Sequence, residues 1–183
     1  MPLVLGAAVL FQVSCDALTD NGNDDVAGLI GSQFIPITLT GASVSEGLIA
    51  GQTTLRAESF LTNLRAKLGH DPTRVDLVRI GVERPEASTG AGIASWAEAF
   101  SDKVEIQILP EGSGIPILVG EGTRPATGVA AWAPRVLIPR GGFDNYPAVA
   151  EGRFTVRISG TTAKSATDTF SFPVRVELEF IAF

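Results

Sequence analysis

"FSFPVRVELEFIAF", residues Phe170–Phe183, alternates almost to the last residue. Phe170, Phe172, Val174, Val176, Leu178 and Phe180 fall on one parity; Ser171, Arg175, Glu177 and Glu179 fall on the other. Successive side chains of a strand point to opposite faces, so this pattern gives one apolar face and one charged face. Such two-sidedness belongs to an antiparallel sheet packed on one side and wet on the other. Pro173 sits on the wet parity and lacks an N–H, which predicts an edge strand or a bulge there.

The same period recurs upstream. In "DKVEIQIL", Val104, Ile106 and Ile108 alternate with Lys103, Glu105 and Gln107. In "GRFTVRIS", Phe154, Val156 and Ile158 alternate with Arg153, Thr155 and Arg157. "TRVDLVRIGVER" puts Val78, Ile80 and Val82 on one face, with Arg79 and Glu83 on the other. "QFIPITLTGASV" (Gln33–Val44) reads as the first strand, and "GIPILVGEG" and "AAWAPRVLIP" as two shorter ones. About seven strands with turn signals between them predict an all-β fold, an antiparallel β-sandwich that is immunoglobulin-like or jelly-roll-like. One short helix is predicted near 55–68: Leu55, Phe60, Leu61, Leu64 and Leu68 keep helical spacing, with Arg56, Arg65 and Lys67 on the other side. Gly69 and Pro72 follow where such a helix would stop.

Composition agrees. The chain has 183 residues, 45% hydrophobic and 19% charged, with 20 Gly and 11 Pro, which suits one folded domain rich in turns. Net charge is −6 and unevenly spread. Residues 1–55 hold Asp16, Asp20, Asp24, Asp25 and Glu46 and no Lys or Arg. No basic cluster interleaves with aromatics, so nucleic acid is not an expected partner. The single Cys excludes an internal disulfide framework and a multi-cysteine zinc site. No apolar run reaches the ~20 residues of a transmembrane helix.

The N-terminus has its own pattern. Leu3–Phe11 is apolar throughout, and Gln12-Val13-Ser14-Cys15 follows. This resembles the lipobox of bacterial lipoproteins, in which an apolar signal segment leads to a lipidated Cys. Gln12 stands where that family usually has Leu, and no basic residue precedes Leu3. The resemblance implies lipidation at Cys15, cleavage of residues 1–15, a flexible acidic tether over 16–32 and a β-sandwich domain over 33–183. It implies an exported protein, anchored to the inner or outer membrane of the cell envelope, periplasmic or extracellular. From the helix onward, "RVDLVRIGVERPE", "SWAEAFSDKVEIQIL" and the final strand pair look like uncharacterised β-sandwich lipoproteins of environmental bacteria. The other readings are structural: Val4–Val13 is a buried strand or short helix of the fold with Cys15 a small hydrophobe, or Leu3–Val13 is a strand donated to a neighbouring copy. A terminal Phe183 also occurs in outer-membrane barrels, but the parity of Phe183 carries Glu179, Glu177 and Arg175, which a lipid face would not accept cheaply.

Catalytic signals are few. His70 is the only histidine, in the turn "GHDPT", and Asp71 is its neighbour in sequence, not a positioned partner. "PEGSGIP" has Glu111 where a G-x-S-x-G elbow needs its first Gly, and "STGAGIAS" lacks the Gly-Lys-Ser ending of a phosphate loop. In "DNGNDD", Asp20, Asp24 and Asp25 are weak metal candidates, since Gly22 occupies a ligand position of a calcium loop. No enzyme and no cofactor is expected. Trp96, Trp132 and Tyr146 are the candidate binding surface for a protein or glycan, with Arg135 and Arg140 nearby in sequence; the alternative is that both Trp residues fill the core. Two functions remain open: a lipid-anchored, non-enzymatic binding module, or a structural subunit of a pilus, filament or shell that uses its N-terminal apolar segment as an exchanged strand.

Overall fold

A computed structural model describes residues 29–56, 58–84, 95–112, 114–126, 128–137 and 153–183. In chain order the elements are β1 (Leu29–Thr40), a 3₁₀ turn (Gly41–Ser43), β2 (Val44–Ser45), β3 (Leu48–Arg56), α1 (Glu58–Leu68), β4 (Val75–Glu83) and α2 (Trp96–Ala99). There follow β5 (Lys103–Pro110), β6 (Ile117–Thr123), β7 (Ala131–Trp132), β8 (Arg135–Val136), β9 (Arg153–Thr161) and β10 (Ser171–Ala182).

The strands form two antiparallel sheets, ordered β1-β10-β4-β7 and β2-β3-β9-β5-β6-β8. Setting aside β2 and β8 and keeping the equally short β7, which closes the smaller sheet, leaves eight strands among the described residues. Numbered one to eight along the chain, they run 1-8-3-6 in one sheet and 2-7-4-5 in the other. First and last strands are paired, and most connections cross between sheets. This is the double Greek key of a jelly roll, not the ABED/CFG arrangement of an immunoglobulin domain.

The core lies between the sheets. Phe172, Val174, Val176, Leu178 and Phe180 of β10 are essentially inaccessible, as are Ile35, Ile37 and Leu39 of β1 and Val104, Ile106 and Ile108 of β5. Phe154, Val156 and Ile158 of β9 complete the inner face of the larger sheet. The parity read from Phe170–Phe183 therefore holds in three dimensions. So does the end of α1: Gly69 adopts φ +78°, and its N–H donates to the Arg65 carbonyl at 2.8 Å, a left-handed helix stop that glycine takes without strain.

Several expectations are corrected. The helix begins at Glu58, because Leu55 and Arg56 complete β3, a strand not foreseen in the sequence. β3 pairs with β9 along its whole length, but its inner face carries Gly51 and Thr53 between apolar residues, so its alternation is faint. β1 runs from Leu29 to Thr40, and the chain turns at Gly41, ahead of Val44. Pro173 is not on an edge strand, since β10 lies between β1 and β4. Pairing with β4 starts only at Arg175, however, so among the described residues Pro173 has a strand neighbour on the β1 side alone.

Val78 is the clearest departure. It is 44% exposed, while Val75, Leu77, Ile80 and Val82 face the core. The register passes from Glu179↔Arg79 to Phe180↔Leu77, so Val78 has no opposite residue. That is a β-bulge, which inserts one residue and resets the parity. "AAWAPRVLIP" is likewise not one strand: β7 pairs with β4 in the first sheet and β8 with β6 in the second. Ala131–Val136 thus steps from one sheet to the other through the buried Pro134. A second helix, α2, occupies Trp96–Ala99, within a stretch whose helical signal is weak in sequence.

Candidate functional site

The two sheets turn their outer faces to solvent, and the register decides which charges meet there. On the smaller sheet, Glu177 and Glu179 of β10 lie opposite Gly81 and Arg79 of β4. The Arg79 guanidinium donates to Glu179 and, at 2.8 Å, to Glu177. The hydrogen bond to Glu179, with the charge of Glu177, holds the Arg79 pKa above its ordinary value. One strand position further, Arg175 pairs with Glu83 and lies over the Phe34 ring, 5.1 Å from its centroid.

These side chains surround a depression of about 290 Å³ whose lining includes Phe34, Arg79, Gly81, Glu83, Trp132, Arg175 and Glu177. Gly81 creates the dip, since a Cβ there would meet Glu177 Oε2 at 3.2 Å. Phe34 is 50% exposed and supplies an apolar wall. Each cation in the depression already has a carboxylate, so the face is electrostatically self-satisfied.

On the larger sheet, Lys103 bridges Glu105 at 2.9 Å and Glu121 at 2.7 Å, and Arg135 donates to Glu121 at 2.6 Å. The hydrogen bond from Lys103, then that from Arg135, holds the Glu121 carboxyl below its ordinary pKa. Lys103 is raised in turn, chiefly by Glu121 and then by Glu105. Beyond this ladder, at the far end of β6, Leu118 is 37% exposed and Ile115, just ahead of the strand, is 72% exposed. β8 pairs with Gly120 and Glu121, and just beyond it the Leu137 N–H donates to the Val119 carbonyl at 3.0 Å.

The candidate residues read from the sequence do not converge. Trp96 is 1% exposed, stacked on Phe100 and edge-on to Phe172 with ring centroids 5.2 Å apart. It is a core residue and offers no binding surface; α2 turns its indole inward between the sheets. Trp132 is half-buried: it lines the depression on the smaller sheet, with its ring against Gly122 of β6, where a Cβ would meet the ring at 2.6 Å. Tyr146, Arg140, Cys15, Asp20, Asp24 and Asp25 lie outside the described residues. His70 is exposed in the turn after α1, its Nδ1 at 2.8 Å from the Asp71 carbonyl, while the Asp71 carboxylate pairs with Arg65. The described residues contain no group of three or more His, Cys, Asp or Glu able to hold a metal, and no helix among them is long and apolar enough to cross a membrane. Phe34, Gly81, Ile115 and Leu118 were missed as surface features. Their signal was parity combined with register, and register is not readable from one strand.

No protein-family model and no curated protein matches the chain. Among solved structures, it is similar to a chain of the virus-like particle of the giant freshwater prawn Macrobrachium rosenbergii extra small virus, with 15% identity and a TM-score of 0.22, covering 100% of this chain and 94% of that one. It is also similar to a chain of Desmodium yellow mottle tymovirus, with 9% identity and a TM-score of 0.27, covering 91% of this chain and 95% of that one.

Proposed function

We propose that this chain is a structural building block, a jelly-roll subunit that packs against copies of itself in a shell-like assembly. The observation that carries the reading is the apolar end of β6. Ile115 and Leu118, 72% and 37% exposed, put two apolar side chains on the surface where β6 begins. Exposed apolar side chains placed together suit a surface that another chain covers. The chain carries a segment of matching character, Leu3–Phe11, ahead of β1. Laid against the next copy, it would cover Ile115 and Leu118. The charged ladders on the outer faces suit a subunit whose chemistry is structural, because each carboxylate there serves a cation rather than a substrate.

Sedimentation velocity tests this. The full chain should sediment as an oligomer, and a Leu118→Lys, Ile115→Asp double variant as a monomer with an unchanged melting temperature. A wild-type chain that stays monomeric at high micromolar concentration would reject the reading.

A second reading rests on Ser14-Cys15 after the apolar run: lipidation of Cys15, cleavage of residues 1–15 and attachment to a membrane of the cell envelope. There the sandwich would bind a protein or glycan rather than itself. The two readings use Leu3–Val13 in opposite ways, donated or removed. Intact mass of the protein from its native source separates them, since it reports cleavage and acylation together.

A further inference from the structure

Arg56 of β3 lies directly opposite Arg153 of β9, and both are exposed on the outer face of the larger sheet. Like charges directly opposite on neighbouring strands repel. Four residues along β9, on the same parity, stands Arg157, half-buried between Gln52 and Gln107. The row between holds Thr54 and Thr155, with hydroxyls 2.7 Å apart, and Leu109 beyond them. Glu111 reaches Arg153 at 3.5 Å. Among the described residues, no carboxylate pairs with Arg56 or Arg157. The acids of the adjoining row, Glu105 and Glu121, are held by Lys103 and Arg135. This half of the face therefore keeps an excess of positive charge, in a chain whose net charge is −6.

The complementary charge lies in the same sequence. Asp16, Asp20, Asp24 and Asp25 precede β1, with no Lys or Arg before Arg56. Asp16, Asp20 and Asp24 recur every fourth residue. In extended chain such residues share a face and stand about 13 Å apart, the same spacing that separates Arg153 from Arg157 on β9. The point of attachment also fits. Thr53 Oγ1 donates to the Pro36 carbonyl at 2.6 Å, and a Cβ on Gly51 would meet Ile37 and Leu39. β3 thus runs antiparallel beside β1, and its Arg56 end lies towards the start of β1 at Leu29. Asp24 is five residues before Leu29 in the sequence, a reach of up to about 17 Å. Neighbouring strands are only about 4.8 Å apart and packed sheets about 10 Å.

We propose that the acidic stretch Asp16–Asp25 docks along β9 of its own chain, with Asp24 at the Arg56–Arg153 pair and Asp20 on Arg157. A guanidinium presents paired N–H donors that match a carboxylate. A carboxylate set between Arg56 and Arg153 relieves their repulsion, and one on Arg157 answers a cation whose own row holds no acid. The short connection to β1 selects the chain's own stretch over a neighbour's, because it holds the aspartates at high effective concentration. Exposed ion pairs are individually weak and screened by salt, so the docked state is salt-sensitive. The inference is independent of both functional readings. Asp16–Asp25 follows residues 1–15, so it is present whether those residues lie on the next copy or are removed.

The test is zero-length cross-linking of the full chain. A carbodiimide joins a carboxylate to an amine in contact with it, forming an amide while the reagent is hydrated to a urea. Arg157→Lys and Arg56→Lys each supply the amine and keep the charge. Mass spectrometry should find position 157 joined to Asp20, and position 56 joined to Asp24 or Asp25. High salt should remove both products. Asp20→Asn added to Arg157→Lys should remove the first product while leaving every residue of both sheets as it was. Reaction of mixed ¹⁴N and ¹⁵N chains should give these products in one isotope only, since both ends belong to one chain. Lys67 and Lys164, outside the arginine rows, are internal controls. The absence of any link from position 157 or 56 to the stretch overturns the proposal. So does an equal yield at Lys67 and Lys164, which would leave only general attraction between opposite charges. Products of mixed isotope would overturn it too, by assigning the arginines to a neighbouring copy's stretch.

Discussion

Gly120 on β6 and Ile80 on β4 meet across the core at van der Waals contact: a Cβ on Gly120 would lie 2.6 Å from Ile80 Cδ1. The two residues belong to different sheets, so this contact sets how closely the layers approach. Ile80 is fully buried and has little room to retreat. Gly120→Ala should therefore overpack the core and cost about 1–3 kcal/mol. Ile80→Val added to it should recover part of the loss. Urea melts of the two single variants and the double variant measure the coupling, and strict additivity would show that the layers do not touch here.

The last strand separates burial from charge within two residues. Leu178 is fully buried, whereas Glu177 lies on the outer face in its pair with Arg79. Leu178→Ala should cost about 2–5 kcal/mol. Glu177→Ala should cost no more than about 1 kcal/mol, the usual worth of a solvent-facing ion pair. Equal losses in denaturant melts would mean that the outer face is covered in solution, and would favour the assembly reading.

The bulge at Val78 can be tested by charge. Val78→Lys should leave the melting temperature nearly unchanged, because the side chain already faces solvent. Ile80→Lys should prevent stable folding, because it would place an unpaired ammonium in the core. A severe loss from Val78→Lys would restore the simple alternation and remove the bulge.

Acid should weaken the ladder on the larger sheet. The Glu121 pKa lies below the ordinary 4.5 because Lys103 and Arg135 hydrogen-bond its ionised form. A depressed carboxylate contributes stability above its unfolded pKa and loses it as pH falls through the folded value. Glu121→Gln should therefore melt slightly below wild type at neutral pH. The difference should close once the pH is under the depressed pKa, and at neutral pH it should shrink in high salt. A constant difference across the whole pH range would assign the effect to packing rather than charge.

Period-two alternation in Val104–Ile108, Phe154–Ile158 and Phe170–Phe180 determined, by itself, that the chain is a two-layered β fold and which residues fill its core. The turn at Gly69 was equally legible, because a left-handed helix stop is a local demand on one residue. The double Greek key was not legible, because strand partners are set by which apolar faces fit together, and those contacts are distant along the chain. β3 escaped notice for a related reason: Gly51 weakens its pattern, yet a Cβ there would come within 2.7 Å of Ile37 and Leu39 side-chain atoms, so packing on β1 excludes the larger residue that would have marked the strand. The parity break at Val78 exists only against Phe180 and Glu179 on the neighbouring strand. The same holds for the surface. That Arg157 and Gln107 face outward follows from their own strands. That Arg157 stands in a row without an acid follows only from the register of β3, β9 and β5. A strand's sequence determines which face a side chain takes, but hydrogen-bonded pairing between strands decides its neighbours, and charge chemistry depends on neighbours.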